Sequence, residues 1–348
     1  MKEAEAVKER VGGLTEAAPH PGSPHPGPLP PGEGAEASPL SPGEGAEASL
    51  LRAIGNTPLL ELSRIARDVP GLRLLVKAEH MNPGGSVKDR PARGMLLDGL
   101  RRGALVPGKR ILEATSGNTG IADAMIGRVL GFPVTLCVPA KGSGAQKRVI
   151  LEAFGAEVVA TDPLEGSDGA IREARAMAAA EPEKYFYPDQ YSNDANWRAH
   201  FETTGPEIWE QTRGELTHFV AGLGTTGTFT GITRYLKSRR ASLPCISMQP
   251  DGPIHGLDGM KHMPSAMVPA IYDPTLADAQ LQVSTDAAFA MCRRLAREEG
   301  VLVGPSAAAN VVAALKVARE MADGPATIVT VLCDGGGRYL SEPFWEEP

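Results

Sequence analysis

One lysine, Lys88, lies in a setting that could support chemistry, within the stretch NPGGSVKDR (82–90). The Pro-Gly-Gly turn before it and the helix-like pattern ARGMLLDGLRRG (92–103) after it place Lys88 near the start of a helix. Helix starts often bind phosphates and electrophiles, because their free N–H groups and the helix dipole favour negative charge. The plainer alternative is a capped loop with a solvated lysine, and this stretch alone leaves both open.

A second polar loop, TSGNTG (115–120), follows the strand-like run KRILEA and precedes a helix-like pattern that begins near Ile121. Its consecutive small and polar residues exceed what capping needs, since one Ser or Thr hydroxyl is enough for a helix cap. Hydroxyls and backbone amides at a helix start suit a carboxylate. The loop predicts an anion site, with a polar cap as the evenly weighted alternative.

Three more turns follow apolar runs. GLGTTGT (222–228) has glycines that let the backbone approach a ligand and threonines that add hydroxyls, but it lacks the lysine of a P-loop and the GxGxxG spacing. With no Mg²⁺ ligand beside it, a cofactor monophosphate suits this loop better than a nucleoside triphosphate. In GPSAAA (304–309), Ser306 opens a helix, where capping is the usual role. DGGGRYL (334–340) is by itself only a flexible turn.

The elements that must position these loops alternate between apolar strands and helical patterns. Strands rich in Val, Ile and Leu that alternate with helices predict parallel sheets covered on both faces, hence an α/β protein. In such sheets ligands bind beyond the carboxyl ends of the strands, where the polar loops of this chain lie. The predicted strands are 72–79, 109–115, 133–139, 156–162, 217–224, 244–250 and 326–334.

Composition excludes several classes of protein. A length of 348 residues suffices for two domains, and the net charge of −7 argues against a nucleic-acid partner. No apolar run reaches the roughly 18 residues of a membrane span, and no secretory signal is expected because the N-terminus is charged. Scattered cysteines without CxxC spacing predict reduced thiols, which fit a cytoplasmic location. They are Cys137, Cys245, Cys292 and Cys333.

The first 49 residues differ in composition from the rest of the chain. They are rich in Pro, Gly, Ala and Glu and contain an imperfect repeat, PGEGAEAS, at 31–38 and 42–49. A segment with so few large apolar residues cannot bury enough surface to offset the entropy of ordering. Residues 1–49 are therefore predicted to be a disordered tail.

Together the loops resemble a known family. NPGGSVKDR, TSGNTG, GTTGT and GPSAAA, in this order, are similar to motifs of the fold type II pyridoxal-phosphate enzymes, which are tryptophan synthase β-like. More narrowly, the chain resembles the cysteine synthases (O-acetylserine sulfhydrylases), from about Leu51 to Tyr339. The short connection at 249–269 resembles the B-type enzymes. Further matching stretches are IGNTPL (54–59), DQYSN (189–193), TTGPEIW (203–209) and RYLS (338–341).

The resemblance implies a role for each site residue. Lys88 matches the lysine that binds pyridoxal 5'-phosphate covalently and acts as the catalytic base. Asn118 matches the residue that binds the phenolic oxygen of the cofactor, and Ser306 matches the partner of its pyridine nitrogen. The implied phosphate loop comprises Gly224, Thr225, Thr226, Gly227 and Thr228. The implied binding residues for the substrate carboxylate are Thr115, Ser116, Thr119 and Gln190.

The resemblance also implies a reaction and an organisation. Elimination of acetate from O-acetyl-L-serine to an aminoacrylate, followed by attack of sulfide or thiosulfate, would give L-cysteine. A homodimer without a metal site is implied. An N-terminal α/β domain (50–200) would carry the lysine and the substrate loop, and a C-terminal α/β domain (201–345) would carry the phosphate loop and Ser306.

Rival functions stay open at this point. An enzyme of the same fold could use O-phosphoserine, make a specialised β-substituted alanine, or act as a dehydratase. A non-catalytic binding or regulatory protein could also keep the fold, but the presence of Lys88 argues against it. KGSGAQKRVI (141–150) departs from the usual wording of the family. In HGLDGMKHM (255–263), Lys261 or His262 could hold an anionic substrate, with a plain surface loop as the alternative.

Overall fold

The computed structural model describes residues 49–115, 117–140, 145–320 and 323–346. The predicted tail lies outside the described residues, except for Ser49. The strands in this part of the chain are β1 Leu59–Glu61, β2 Leu72–Lys77, β3 Arg110–Ala114, β4 Val134–Pro139, β5 Glu157–Thr161, β6 Tyr185–Phe186, β7 His218–Gly222, β8 Cys245–Pro250, β9 Ala279–Val283 and β10 Ala326–Val331.

The α-helices alternate with these strands. They are α1 Ser49–Arg52, α2 Asp89–Arg101, α3 Asn118–Leu130, α4 Ala145–Ala153, α5 Gly166–Ala180, α6 Asp194–Ala199, α7 Gly205–Gln211, α8 Gly227–Arg239, α9 Thr285–Arg294 and α10 Pro305–Glu320. Single π-helical turns continue α6 over His200–Thr204 and α9 over Leu295–Glu299. No helix among the described residues is long and apolar enough to cross a membrane.

Two sheets hold the strands. The larger has the order β1-β2-β10-β7-β8-β9, and all its pairings are parallel except that of β1 with β2. The smaller has the order β5-β4-β3-β6 and is parallel throughout. The predicted parallel α/β architecture is confirmed. Although β1 and β2 come early in the chain, they lie in the larger sheet, and the domain boundaries stay a prediction.

Central strands are apolar because both of their faces are covered. Every residue of β4 (VTLCVP) and of β8 (CISMQP) is buried. Helix α10 packs in the core of the larger sheet, and its run of small alanines lets its backbone lie close to the strands. This packing fixes the N-terminal end of α10, where Ser306 lies.

Candidate active site

The polar loops converge on one cavity of about 520 Å³. Its lining includes residues of the first turns of α3, α8 and α10 and the residue before α2. The predicted site residues that line it are Lys88, Thr115, Asn118, Thr119, Gln190, Gly224, Thr225, Thr226, Thr228 and Ser306. Gly227 lies behind the lining, where an added Cβ would overlap the amide of Asn196. Ser116 lies outside the described residues.

Lys88 is half-buried at the N-terminal end of α2. Its backbone N–H donates to Ser86 Oγ at 3.2 Å, and the N–H of Val87 donates to the carbonyl of Cys333 at 2.7 Å. These bonds attach the lysine loop to the chain that follows β10. The side chain of Lys88 is thereby placed in the wall of the cavity.

The turn before Lys88 requires glycine at its centre. The N–H of Gly84 donates to the Asp89 carboxylate at 2.5 Å, and a Cβ on Gly84 would overlap that carboxylate. Burial raises the pKa of Asp89 to about 7, although the bond from Gly84 opposes the shift. The Pro-Gly-Gly sequence therefore brings the first carboxylate of α2 against the turn.

The loop between β7 and α8 forms a second wall. Thr226 has a φ of +73°, which is uncommon for a residue with a side chain. Its Oγ1 atom is buried and has no hydrogen-bond partner among the described residues. A Cβ on Gly224 would overlap the carbonyl oxygen of Gly259. An orphaned hydroxyl at the N-terminus of a 13-residue helix is a suitable place for a phosphate group.

A neutral histidine lies behind this loop. Burial lowers the pKa of His200 to about 3, so its ring is uncharged at neutral pH. Its Nε2 lies 3.2 Å from Thr228 Oγ1, and its Nδ1 lies 2.9 Å from Thr204 Oγ1. The ring thus orients the hydroxyl of Thr228 without adding a charge to the loop.

The loop before α3 is held in shape by its own threonines. Thr115 Oγ1 accepts from the N–H of Gly117 at 2.9 Å. Thr119 Oγ1 donates to Gln190 Oε1 at 2.7 Å, and Gln190 Nε2 donates to the carbonyl of Ala114 at 2.7 Å. The three predicted carboxylate-binding residues in the described chain are therefore neighbours in a buried, pre-formed arrangement.

Asn118 is clamped by two charged residues that come from the final turn. Its Nδ2 donates to Asp334 Oδ2 at 2.7 Å, and Arg338 Nη1 donates to its Oδ1. The Tyr339 hydroxyl also donates to Asp334 Oδ2, at 2.6 Å. As an isolated motif DGGGRYL predicts only a flexible turn, although the overlapping stretch RYLS matches the family. The signal available in the sequence was two charged residues, Asp334 and Arg338, in a glycine-rich turn directly after an apolar strand. The structure shows that Asp334 is buried.

Ser306 lies in the first turn of α10, which forms a further wall of the cavity, and it is 6% exposed. It lies beside Cys333, whose thiol pKa is raised to about 11 by burial, despite an opposing contribution from the nearby Lys88 charge. The immediate neighbour of Ser306 is therefore an uncharged thiol. A ring nitrogen placed here would meet a neutral hydroxyl.

Of the two candidate anion-binding residues in HGLDGMKHM, Lys261 and His262, the structure brings only Lys261 to the cavity. Lys261 Nζ lies 2.8 Å from Asp168 Oδ1 and 5.2 Å from the ring centroid of Tyr191. The His262 ring instead bonds to Ser265 Oγ at 2.7 Å. His262 is not a lining residue of the cavity.

A buried ion network supports the start of α2 from behind. Arg90 Nε lies 2.7 Å from Glu79 Oε2, and Arg90 Nη1 lies 2.7 Å from Glu207 Oε1. Lys77 Nζ lies 2.6 Å from Glu207 Oε2. These four side chains join β2, the lysine loop and α7, and they fix the helix that begins directly after Lys88.

The fold places a lysine, a loop suited to a phosphate and a loop suited to a carboxylate around one cavity. This combination defines a class of enzyme. The chain belongs to the pyridoxal-phosphate-dependent enzyme family, whose model matches residues 50–334. It is 47% identical over 302 residues to a cysteine synthase of Aquifex aeolicus, covering 86% of this chain and 92% of the relative. It is 40% identical over 298 residues to cysteine synthase B of Escherichia coli, covering 86% and 96%.

Solved structures agree with this assignment. A cysteine synthase (OASS) from Entamoeba histolytica superimposes with a TM-score of 0.81 and 34% identity, covering 89% of this chain and 94% of that one. An O-ureido-L-serine synthase gives a TM-score of 0.80 at 34% identity, covering 85% and 94%. The predicted fold class, enzyme class and pyridoxal phosphate cofactor are confirmed. The roles of individual site residues stay predictions.

Proposed function

We propose that this chain is a cysteine synthase that makes L-cysteine from O-acetyl-L-serine and sulfide. The observation that carries the proposal is the convergence of the lysine, carboxylate, phosphate and serine loops on one cavity. The coverage and identity of the cysteine synthase relatives support the choice of substrate class. This cavity of about 520 Å³ leaves room for a cofactor and a small amino acid side by side.

The residues present fit pyridoxal 5'-phosphate. The unpartnered Thr226 hydroxyl and the Gly224 cradle would hold its phosphate, and Asn118 and Ser306 would meet its ring. When bound, the cofactor supplies an electron sink for the carbanion that forms at the substrate Cα. The neutral Ser306 hydroxyl makes that sink weaker than a carboxylate would, which favours prompt loss of a β-leaving group.

The remaining steps belong to residues of this chain. Thr115, Thr119 and Gln190 would bind the substrate carboxylate and so orient the Cα–H bond. Lys88 Nζ would take the Cα proton as a general base, because it lies in the wall of the same cavity. Acetate would then leave from Cβ, hydrosulfide would add at Cβ, and Lys88 would return the proton to Cα.

A side-by-side turnover assay tests the function. Purified holoenzyme is offered O-acetylserine or O-phosphoserine, each with sulfide or thiosulfate, and L-cysteine or S-sulfocysteine is quantified. We expect the highest kcat/KM with O-acetylserine and sulfide. A higher value with O-phosphoserine would move the chain to the rival substrate class. No cysteine formation with any pair would overturn the proposal.

Replacing Ser306 with aspartate tests the predicted partner of the ring nitrogen. Ser306→Asp is expected to retain the cofactor but to slow turnover at least about tenfold, or about 1.4 kcal/mol in the barrier, because a carboxylate would hold the nitrogen protonated. Stopped-flow absorbance and steady-state turnover would measure this. Ser306→Asn is the control of equal size without charge. Unchanged kinetics and spectrum in Ser306→Asp would reduce Ser306 to a helix cap.

Assembly and location are further parts of the proposal. We infer a homodimer in the cytoplasm, as the family resemblance implies. Sedimentation velocity of the purified protein is the direct measurement of the assembly. A monomer at micromolar concentration with full activity would refute the dimer.

A further inference from the structure

An ion pair between two side chains crosses the cavity. Lys147 lies on helix α4, which connects β4 and β5 of the smaller sheet, and Asp258 lies on the loop that follows β8 of the larger sheet. Lys147 Nζ donates to Asp258 Oδ2. Lys147 Nζ also lies 3.3 Å from the Tyr339 hydroxyl and 4.7 Å from the centroid of its ring. The side chain of Lys147 is 2% exposed and that of Asp258 is 25% exposed. All three residues line the cavity.

Lys147 lies directly on the loop predicted to bind the substrate carboxylate. A Cβ built on Gly117 would lie 2.6 Å from Lys147 Cδ and 3.4 Å from Lys147 Nζ. The predicted carboxylate ligands in the described part of the loop and its surroundings are neutral, namely Thr115, Thr119 and Gln190. A carboxylate that leaves water for a partly buried site gains most from a nearby opposite charge. Lys147 is placed to provide it.

Other cations of the cavity are committed elsewhere. Lys261 is paired with Asp168 at 2.8 Å. The two terminal nitrogens of Arg338 donate to Asn118 Oδ1 and to the carbonyl of Gly84. Lys88 is assigned to the cofactor. Lys147 differs from Lys261 in the setting of its partner. Asp168 lies on helix α5 and also accepts from the N–H of Met267 at 2.9 Å, whereas Asp258 belongs to a loop.

We propose that Lys147 is a specificity-determining residue that binds the α-carboxylate of the amino-acid substrate. Asp258 forms an ion pair with Lys147 until the substrate carboxylate replaces it. This inference rests on the proposed function, since it takes an amino acid as the ligand. Asp258 presents the same chemical group as the ligand, a carboxylate, so the two compete for one ammonium group. A ligand without a carboxylate could not displace Asp258 and would gain no affinity from Lys147.

Tyr339 keeps the ammonium group in place during this exchange. Burial, followed by the nearby charges of Asp334 and Asp258, raises the pKa of Tyr339 well above its usual value, so the hydroxyl stays neutral. The hydroxyl donates to Asp334 Oδ2 at 2.6 Å, which leaves its oxygen free to accept from Lys147. Lys147 therefore retains one fixed partner when Asp258 departs.

The two partners are expected to have opposite effects on ligand affinity. Holoenzyme is titrated with L-alanine, an amino acid without a β-leaving group, and binding is followed by the change in cofactor absorbance. Lys147→Gln should raise the Kd about 10- to 100-fold, the range for loss of a hydrogen bond to a charged group. Asp258→Asn should lower the Kd about two- to fivefold, because it removes a partly exposed competitor.

Matched variants and ligands make the test specific. Lys147→Arg keeps the charge and should restore much of the affinity lost in Lys147→Gln. L-alaninamide, which lacks the carboxylate, should bind the wild type and Lys147→Gln equally. In the double variant, Asp258→Asn should add nothing to Lys147→Gln, because the competition no longer exists. Thermal unfolding of each variant reports whether the cavity is intact.

Several outcomes would overturn the inference. Equal weakening of L-alanine binding by Lys147→Gln and Asp258→Asn would show that the pair is only a structural tie between the two sheets. An unchanged Kd in Lys147→Gln, or failure of the wild type to bind L-alanine, would also reject it. Because binding is measured without turnover, a wild type that binds L-alanine but makes no cysteine would reject the proposed function and leave this inference standing.

Discussion

Lys88→Ala is expected to fold normally and to form cysteine only at the background rate. Loss of a general base alone usually lowers turnover by about 10²- to 10⁴-fold, and we expect a loss of at least that size. The side chain of Lys88 lines the cavity, whereas its contribution to local structure is made by its backbone N–H to Ser86. Helix α2 begins at Asp89, so truncation of Lys88 leaves the start of the helix intact. Chemistry, and not folding, should be lost.

Covalent labelling measures this directly. Borohydride reduction of the wild type should fix the cofactor on the peptide that contains Lys88, and mass spectrometry should locate it there. Lys88→Ala should bind the cofactor without fixation, and its thermal midpoint should match that of the wild type. Lys88→Arg is the control that keeps the positive charge but cannot form the covalent bond. Substantial cysteine formation by Lys88→Ala would remove Lys88 from its role.

Local patterns predicted the fold well because buried parallel strands leave a strong signal. All seven predicted strands are present, and six of them contain runs of buried residues. The exception is β5, an edge strand that is only partly covered. The strands that sequence analysis missed lack that signal. β1 and β6 have only three and two residues, and β9 (AQLQV) alternates polar and apolar residues at the edge of its sheet.

The composition of the chain predicted a site only where several small and polar residues are neighbours, as in TSGNTG and GTTGT. The predicted roles of Lys88, Gln190 and Ser306 came from the family resemblance. The clamp on Asn118 joins residues 216 and 220 positions apart, and the Lys147–Asp258 pair spans 111 positions. Such pairs depend on how the sheets pack, and no local periodicity records that. His262 shows the converse. It is next to Lys261 in sequence, but its ring is bonded to Ser265 and it does not line the cavity.

The largest effect on stability is expected from Glu207, whose carboxylate lies between two buried cations. Glu207→Gln should lower the free energy of unfolding by about 3–5 kcal/mol, since removing one member of a buried ion pair leaves the other uncompensated. Lys77 is fully buried and the side chain of Arg90 is 2% exposed, so water cannot replace the lost charge. Urea unfolding at neutral pH would measure the difference.

The same contacts predict the sign of a pH dependence. Burial alone would raise the pKa of Glu207, but the hydrogen bonds and charges of Arg90 and Lys77 outweigh it and lower the pKa to about 2. A carboxyl group whose pKa is lowered in the folded state stabilises the protein at pH values above the pKa that the group has in the unfolded chain, near 4.5. That stabilisation disappears as the pH falls towards 2. The stability difference between wild type and Glu207→Gln should therefore be constant above about pH 5 and shrink below it.

An exposed ion pair of similar geometry provides the control. Arg73 Nε lies 2.9 Å from Glu61 Oε2, but the two side chains are 52% and 47% exposed. Glu61→Gln should change the free energy of unfolding by no more than about 1 kcal/mol, because water screens the pair. If Glu207→Gln cost no more than Glu61→Gln, the buried network would not be what fixes the start of α2. The placement of Lys88 would then depend on the turn at Gly84 and the bond from Val87 to Cys333.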